Sequence, residues 1–194
     1  MHITRRKTRQ ITVGKVKIGG DAPVSVQSMC STDTRDTVAT IEQIRQLEAA
    51  GCEVIRVAVP DDEAAAALPK IKAAMTVPLI ADIHFDHRLA LKAAETVDCV
   101  RINPGNIGAW WKVEEVIKAV NDHGIPIRVG VNGGSLERDL LDKYGWPSPE
   151  ALAESALNAV HALEDVGFTN MKVSLKASDV HHAIDAYWLF AHQS

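Results

Sequence analysis

Positively charged side chains recur at one level of successive strand-like segments, an arrangement suited to binding a multiply anionic small molecule. Arginine offers forked donors that match phosphate oxygens, and lysine offers a mobile point charge. A single carboxylate, Asp82, stands at the same level, in a chain whose formal net charge is −4. The alternative, an internal layer of balanced salt bridges, would need more carboxylates, so the residue types favour a ligand pocket. The cations are Arg56, Arg101, Arg128, Lys172 and Lys176.

Two side chains in this region, Asp82 and a nearby histidine, could donate or accept a proton. His84 lies two residues after Asp82, at the end of the same strand-like segment. A histidine in such a position can act as acid or base near neutral pH, and it can equally serve only to orient a ligand by hydrogen bonding. Asp82 and His84 are therefore the candidate catalytic residues, with both functions of the histidine left open.

Polar residues and glycines follow two neighbouring strands, at 103–108 and 132–135. Glycine lets backbone N–H groups converge on an oxyanion, so these loops support a phosphate site above the three arginines. Their leading asparagines and one serine in the last strand complete the set of candidate ligand-binding residues. These three residues are Asn103, Asn132 and Ser174.

A strand-like run, a loop and a helical stretch follow one another along the chain. Alternation of this kind with short connections predicts a parallel sheet with right-handed crossovers. Pro69 falls inside one helical stretch and is expected to break or kink it. The strand-like runs are 24–29, 54–59, 78–83, 99–104, 126–132 and 171–177.

Capping residues mark where several helices begin. Ser148 is the expected N-cap of one helix, with Pro149 at its first helical position. Asp86 is the expected cap of an earlier helix, and Asp179 or Ser178 that of the last one.

The period of the polar residues discriminates between two parallel-sheet architectures. Residues two apart on a strand share a face. In a doubly wound sheet both faces are covered by helices, so an unpaired charge there would cost several kcal/mol. In a barrel these positions project into the lumen near the open carboxyl mouth. The predicted fold is therefore α/β, a TIM (β/α)8-type barrel, incomplete because a whole barrel typically needs ~250 residues, with about six of its eight units present.

Composition excludes several other classes of protein. The chain has 194 residues, of which 46% are hydrophobic, with 21 Lys+Arg against 25 Asp+Glu. This balance argues against a nucleic-acid partner, and no apolar run approaches the ~20 residues that span a membrane. The basic N-terminus lacks the apolar core of a signal peptide. Cys30, Cys52 and Cys99 form no close pair, so neither a disulfide nor a metal site is expected. The composition is typical of a cytoplasmic protein.

Seven motifs, in order over nearly the whole chain, resemble those of the 4-hydroxy-3-methylbut-2-enyl diphosphate synthase family. They are Arg-Arg-Lys-Thr-Arg (5–9), Val-Gln-Ser-Met (26–29), Thr-Asp-Thr-Arg-Asp (32–36), Ala-Asp-Ile-His-Phe-Asp (81–86), Arg-Ile-Asn-Pro-Gly-Asn-Ile-Gly (101–108), Gly-Val-Asn-Gly-Gly-Ser-Leu-Glu (130–137) and Lys-Val-Ser-Leu-Lys-Ala-Ser (172–178).

The resemblance implies an oxidoreductase of isoprenoid biosynthesis by the methylerythritol phosphate route. Such an enzyme reductively opens 2-C-methyl-D-erythritol 2,4-cyclodiphosphate with loss of water, using electrons that pass from ferredoxin or flavodoxin through a [4Fe–4S] cluster. It further implies a TIM barrel followed by a cluster-bearing domain, in a homodimer. The residues implied to bind the diphosphate are the five cations, and those implied to line the same pocket are Asp82, His84, Asn103 and Asn132.

The chain also departs from this family. The family holds its cluster with three cysteines and a glutamate of the C-terminal domain, and none of the present cysteines can be assigned to it. We therefore expect residues 1–194 to be the N-terminal part of the substrate-binding barrel, without the iron–sulfur domain, with unpaired edge strands and no ring-opening activity alone. The alternatives are another phosphate-binding TIM-barrel enzyme, similar to a pterin synthase, and a non-functional truncated product.

Overall fold

A six-stranded parallel sheet forms the centre of the structure, a computed structural model that describes residues 6–194. Arg5, the first residue of the basic motif, lies outside the described residues. The six strands follow one another in chain order, each parallel to the next, and a separate two-stranded hairpin precedes them. The curled α/β sheet with outer helices confirms the prediction of an incomplete TIM-type barrel.

The helices and strands have the following bounds. The strands are β1 (Ile11–Val13), β2 (Val16–Ile18), β3 (Gln27–Met29), β4 (Val54–Ala58), β5 (Leu79–Asp82), β6 (Cys99–Ile102), β7 (Ile127–Asn132) and β8 (Met171–Lys176). The helices are α1 (Thr37–Ala49), α2 (Asp62–Ala73), α3 (His87–Ala94), α4 (Pro104–Ile107), α5 (Trp110–Asp122), α6 (Arg138–Tyr144), α7 (Pro149–Asp165) and α8 (Val180–Gln193).

The register of the sheet brings the predicted polar residues into line. Arg101 pairs with Asp82 on one side and Arg128 on the other, and Arg128 pairs with Lys172. Arg56 pairs with a residue on β5 that lies below Asp82. Asp82, Arg101, Arg128 and Lys172 therefore share one row of the sheet, as predicted, whereas the expectation that Arg56 lies at the same level is wrong, because the register places it one pleat lower.

The opposite face of the sheet forms the main core against the outer helices. Its strand residues are fully buried because alternate side chains point away from the lumen and pack beneath the helices. These residues are Ile55, Val57, Leu79, Ala81, Val100, Ile102, Ile127 and Val129.

The hairpin of β1 and β2 closes the lower end of the lumen. Its Ile11 and Val13 pack with Val54, Ile80 and Cys99, which face inward below the row of charges. The sequence analysis missed this hairpin because its strands have three residues each. The signal that could have found it is the alternation of apolar and polar residues on both sides of the turn.

The three predicted helix starts are confirmed. Ser148 Oγ accepts a hydrogen bond from the Ala151 N–H at 3.2 Å. Asp86 caps α3, and Asp179, rather than Ser178, caps α8.

The expected break at Pro69 is wrong, because α2 is continuous through that residue, and the alternative of a kink stays a prediction. Proline removes one backbone hydrogen bond. Leu68 and Ile71 on either side of it are fully buried, and this packing holds the helix against the sheet.

β3 and β8 are the outer strands of the sheet, and each pairs on one side only within residues 6–194. Unpaired edges were expected at these two strands. None of the helices in the described part of the chain is long and apolar enough to cross a membrane.

Candidate functional site

Asp82 lies at the centre of the lumen and forms ion pairs with two arginines. Its Oδ1 accepts a hydrogen bond from Arg101 Nη1 at 2.9 Å, and its Oδ2 lies 3.4 Å from Arg56 Nε. The Asp82 side chain is only 5% exposed. A carboxylate so buried between two guanidinium groups orients them, because moving either would leave a buried charge unpaired.

The Arg101 side chain also reaches from its own strand, β6, to the neighbouring strand, β7. Its Nη2 donates to the carbonyl oxygen of Gly130 on β7 at 3.2 Å. Its Nε is buried and has no hydrogen-bond partner among the described residues. The guanidinium group is therefore held at both terminal nitrogens.

Arg128 joins three strands. Its Nη1 donates to Gln27 Oε1 on β3 at 2.8 Å, and its Nε donates to Ser174 Oγ on β8 at 3.1 Å. Neither acceptor carries charge, so Arg128 keeps its positive charge uncompensated. Burial lowers the pKa of Arg128, and nearby Arg56 lowers it further.

Lys172 is the second cation without a carboxylate. Its ammonium group forms no hydrogen bond or ion pair with any residue of the described range 6–194. Burial lowers its pKa, and the neighbouring charges of Arg128 and Arg56 lower it too. Half-buried cations that repel one another in this way are typical of sites that bind a multiply charged anion.

His84 and Lys176 stand at the exposed mouth of the lumen. The His84 ring contacts that of Phe85, with centroids 6.1 Å apart, and makes no hydrogen bond within the described chain. Lys176 pairs in register with Asn132 on the adjacent strand. The structure thus places both residues above the buried charges, open to solvent.

The two asparagine–glycine loops are tied into turns by their own side chains. Asn103 Oδ1 accepts from the Gly105 N–H and Asn132 Oδ1 from the Gly134 N–H, both at 3.1 Å. Asn103 Nδ2 donates to Ser135 Oγ at 3.3 Å, which links the loops. The N–H groups of Gly105 and Gly134 therefore already have acceptors, and binding of an oxyanion by these loops stays a prediction.

Sequence reasoning missed two lumen residues that contact the arginines. Gln27 receives the hydrogen bond from Arg128, and Met29 Sδ lies 3.2 Å from Arg56 Nε. Both belong to β3, where Met29 pairs in register with Arg56 and Gln27 lies one pleat lower. Their neutral side chains gave no chemical signal of their own.

The cysteines do not fit an iron–sulfur cluster. Burial raises the pKa of Cys30 and of Cys99 to about 11, which disfavours the thiolate that binds metal. No group of three or more His, Cys, Asp or Glu side chains that could hold a metal ion occurs in the described part of the chain.

The fold and the row of charges define a TIM-barrel domain with a group of cations in its lumen. Over residues 8–194 the chain matches the family described as the GcpE TIM-barrel domain, and it belongs to that family.

Curated relatives extend this result. A protein from Geobacter sulfurreducens named 4-hydroxy-3-methylbut-2-en-1-yl diphosphate synthase (flavodoxin) is 59% identical over 188 residues, which cover 96% of this chain and 53% of the relative. A protein of the same name from Pseudomonas paraeruginosa is 58% identical over 192 residues, covering 98% of this chain and 52% of the relative. The chain spans about half the length of the curated relatives it matches.

Solved structures of other enzymes share the fold. A dihydropteroate synthase from Xanthomonas albilineans superposes with a TM-score of 0.61 at 13% identity, over 95% of this chain and 72% of that one. A phospho-2-dehydro-3-deoxyheptonate aldolase from Thermotoga maritima gives 0.60 at 14% identity, over 89% and 48%. At such identities the similarity shows the fold alone.

Proposed function

We propose that this chain supplies the substrate-binding barrel of a 4-hydroxy-3-methylbut-2-en-1-yl diphosphate synthase and binds 2-C-methyl-D-erythritol 2,4-cyclodiphosphate in its lumen. The observation that carries the proposal is the uncompensated pair of cations, Arg128 and Lys172. Each is half-buried, and neither has a carboxylate partner in the described range 6–194. A bound diphosphate would neutralise both.

Two sets of residues would contribute differently to binding the cyclic diphosphate. Arg56 and Arg101, oriented by Asp82, present fixed donors, whereas Arg128 and Lys172 supply most of the net positive charge. Lys176, Asn103, Asn132 and Ser174 would complete the pocket towards the mouth. We propose that His84, which is exposed at the strand end, exchanges a proton with the ligand, and that Asp82 contributes through the arginines it holds.

The full reaction, reductive ring opening with loss of water, requires more than the described residues offer. The [4Fe–4S] cluster of the family supplies electrons, and the cysteines of this chain do not fit it. We therefore propose that this chain binds and orients the cyclic diphosphate and shows no ring-opening activity alone. A stoichiometric iron–sulfur chromophore in the purified chain would contradict this.

Two further proposals concern the longer protein. The names of the relatives specify flavodoxin, which supports an electron-carrier partner of that kind. The family resemblance supports a homodimer. We likewise propose that the protein works in the cytoplasm, as its composition suggested.

Calorimetric titration of the chain with the cyclic diphosphate tests the proposed function. We expect binding that weakens by about tenfold or more in Lys172→Met, which removes one charge-assisted contact. Lys118→Met, on the exposed face of α5, is the matched control and should bind as wild type does.

The same titration separates the alternatives. Preferential binding of a pterin diphosphate would assign the chain to the other class of phosphate-binding barrel. Absence of binding to either compound would favour a non-functional product and overturn the proposal.

A further inference from the structure

A glycine and an arginine on neighbouring strands approach each other very closely in the candidate pocket. A Cβ atom built on Gly130 would lie 2.7 Å from Arg101 Cζ, and nearer still to Arg101 Nε. Real side chains do not tolerate contacts of this kind. The guanidinium group of Arg101 therefore occupies the space that any other residue at position 130 would fill.

Backbone conformation does not explain this glycine. Gly130 is absent from the glycines with positive φ and lies within β7, so alanine could adopt its backbone angles. Glycine in a strand otherwise costs stability, since it has no side chain to pack and more freedom to lose. The space for Arg101 is the compensating feature that the structure offers.

The clash would displace the arginine rather than the strand. The guanidinium group is the far end of a flexible side chain, whereas β7 is hydrogen-bonded on both sides, to β6 and β8. Displacement would break the contacts of Arg101 with Asp82 Oδ1 and the Gly130 carbonyl oxygen. Asp82 would then retain only Arg56 as a partner.

We propose that Gly130 is a positioning residue of the pocket, whose missing side chain lets Arg101 bridge Asp82 and β7 in the orientation that receives the anion. This inference rests on the proposed function for its ligand. The positioning itself is a property of the free chain, which allows the two to be tested separately.

A double-mutant cycle tests the inference. In the wild-type background, we expect Gly130→Ala to weaken binding of the cyclic diphosphate by about tenfold, close to the effect of Arg101→Ala. In the Arg101→Ala background the added methyl group meets no guanidinium group. There we expect Gly130→Ala to change the affinity by less than about twofold, so the same substitution serves as its own control.

A ligand-free measurement accompanies the cycle. The buried Nε–H of Arg101 should give a resolved signal in spectra of ¹⁵N-arginine-labelled chain, assigned by its loss in Arg101→Ala. We expect the signal to shift and exchange faster with solvent in Gly130→Ala, while the unfolding midpoint shows that the variant is folded. A purely structural effect of the methyl group would move the midpoint in both backgrounds.

The outcomes separate the inference from the proposed function. Non-additive losses of affinity together with the changed Arg101 signal support the inference. Equal losses in both backgrounds, or an unchanged Arg101 signal in Gly130→Ala, overturn it. If the wild-type chain binds no cyclic diphosphate, the proposed function fails, and the Arg101 signal still decides whether Gly130 positions that side chain.

Discussion

Arg128 on β7 donates a hydrogen bond to Gln27 on β3, with 2.8 Å between Nη1 and Oε1, across the lumen and over 101 residues of sequence. These strands are not neighbours in the sheet, because three others lie between them. The contact therefore shows that the sheet curls far enough to bring side chains of β3 and β7 within hydrogen-bond distance. It also places a neutral acceptor against an uncompensated cation.

Removing this acceptor should lower stability. We expect Gln27→Leu to reduce the free energy of unfolding by about 1.5–3 kcal/mol, the range for hydrogen bonds to charged groups. Urea denaturation measures it. Gln46→Leu, on the exposed face of α1, is the matched control and should change little. Equal stability of the two variants would mean that the contact does not hold the curled sheet together.

The N-cap of α7 should contribute to the stability of the fold independently of the pocket residues. Ser148→Ala leaves the Ala151 N–H without its acceptor and should cost about 1 kcal/mol. For a chain of this size, that lowers the melting temperature by roughly 2–4 °C. Ser178→Ala removes a hydroxyl just outside α8 and should leave the melting temperature unchanged. An equal shift in both variants would argue against the capping contact.

Lowering the pH should reduce the stability of the fold, partly because Asp86 becomes protonated. Its hydrogen bonds with Arg88 lower the pKa of Asp86 to about 2. Because this value is depressed below the ordinary pKa of about 3.9, the stabilisation is complete above about pH 4 and is lost as the pH falls through about 2.

The variant Asp86→Asn isolates this charge, because asparagine still caps a helix. Between about pH 4.5 and pH 2.5 we expect it to lose less stability than wild type, as judged by urea midpoints at each pH. Arg88→Met should reduce the pH dependence of the urea midpoint in the same way. The double variant should show no further reduction. A curve for Asp86→Asn parallel to that of wild type would contradict the assignment.

The thiols should resist alkylation in the folded state. With the pKa of Cys99 raised to about 11 by burial, little thiolate exists at pH 8, and the side chain has no exposed surface. We expect iodoacetamide to label Cys99 at least about a hundredfold more slowly in the native chain than in urea. Peptide mass spectrometry locates the label. Native labelling within tenfold of the unfolded rate would show that the lower lumen opens readily.

The face on which the charges lie could be predicted from the sequence, and so could the level of all of them except Arg56. The period of two on each strand determines which side chains share a face, so residue spacing alone was enough to align Asp82, Arg101 and Arg128. Their partners could not be predicted in the same way. The contact between Arg128 and Gln27 depends on the curl of the whole sheet, and the space at Gly130 depends on the rotamer of a side chain from another strand.

Shorter elements escaped prediction for a different reason. The helix α4 has four residues, and its asparagine and glycine resemble those of an open loop. Asn103 was selected from the sequence as a ligand-binding candidate at that point in the chain. The structure shows that it closes the turn with its own side chain oxygen, a choice among hydrogen-bond partners that residue type alone does not settle.

The hairpin that packs against Val54, Ile80 and Cys99 gives the lumen a floor beneath β4, β5 and β6. On that side of the lumen, the row of charges can be reached from the carboxyl end of the strands and not from below. Water also approaches the charges from above only, so an anion held there would rest on a dry apolar base.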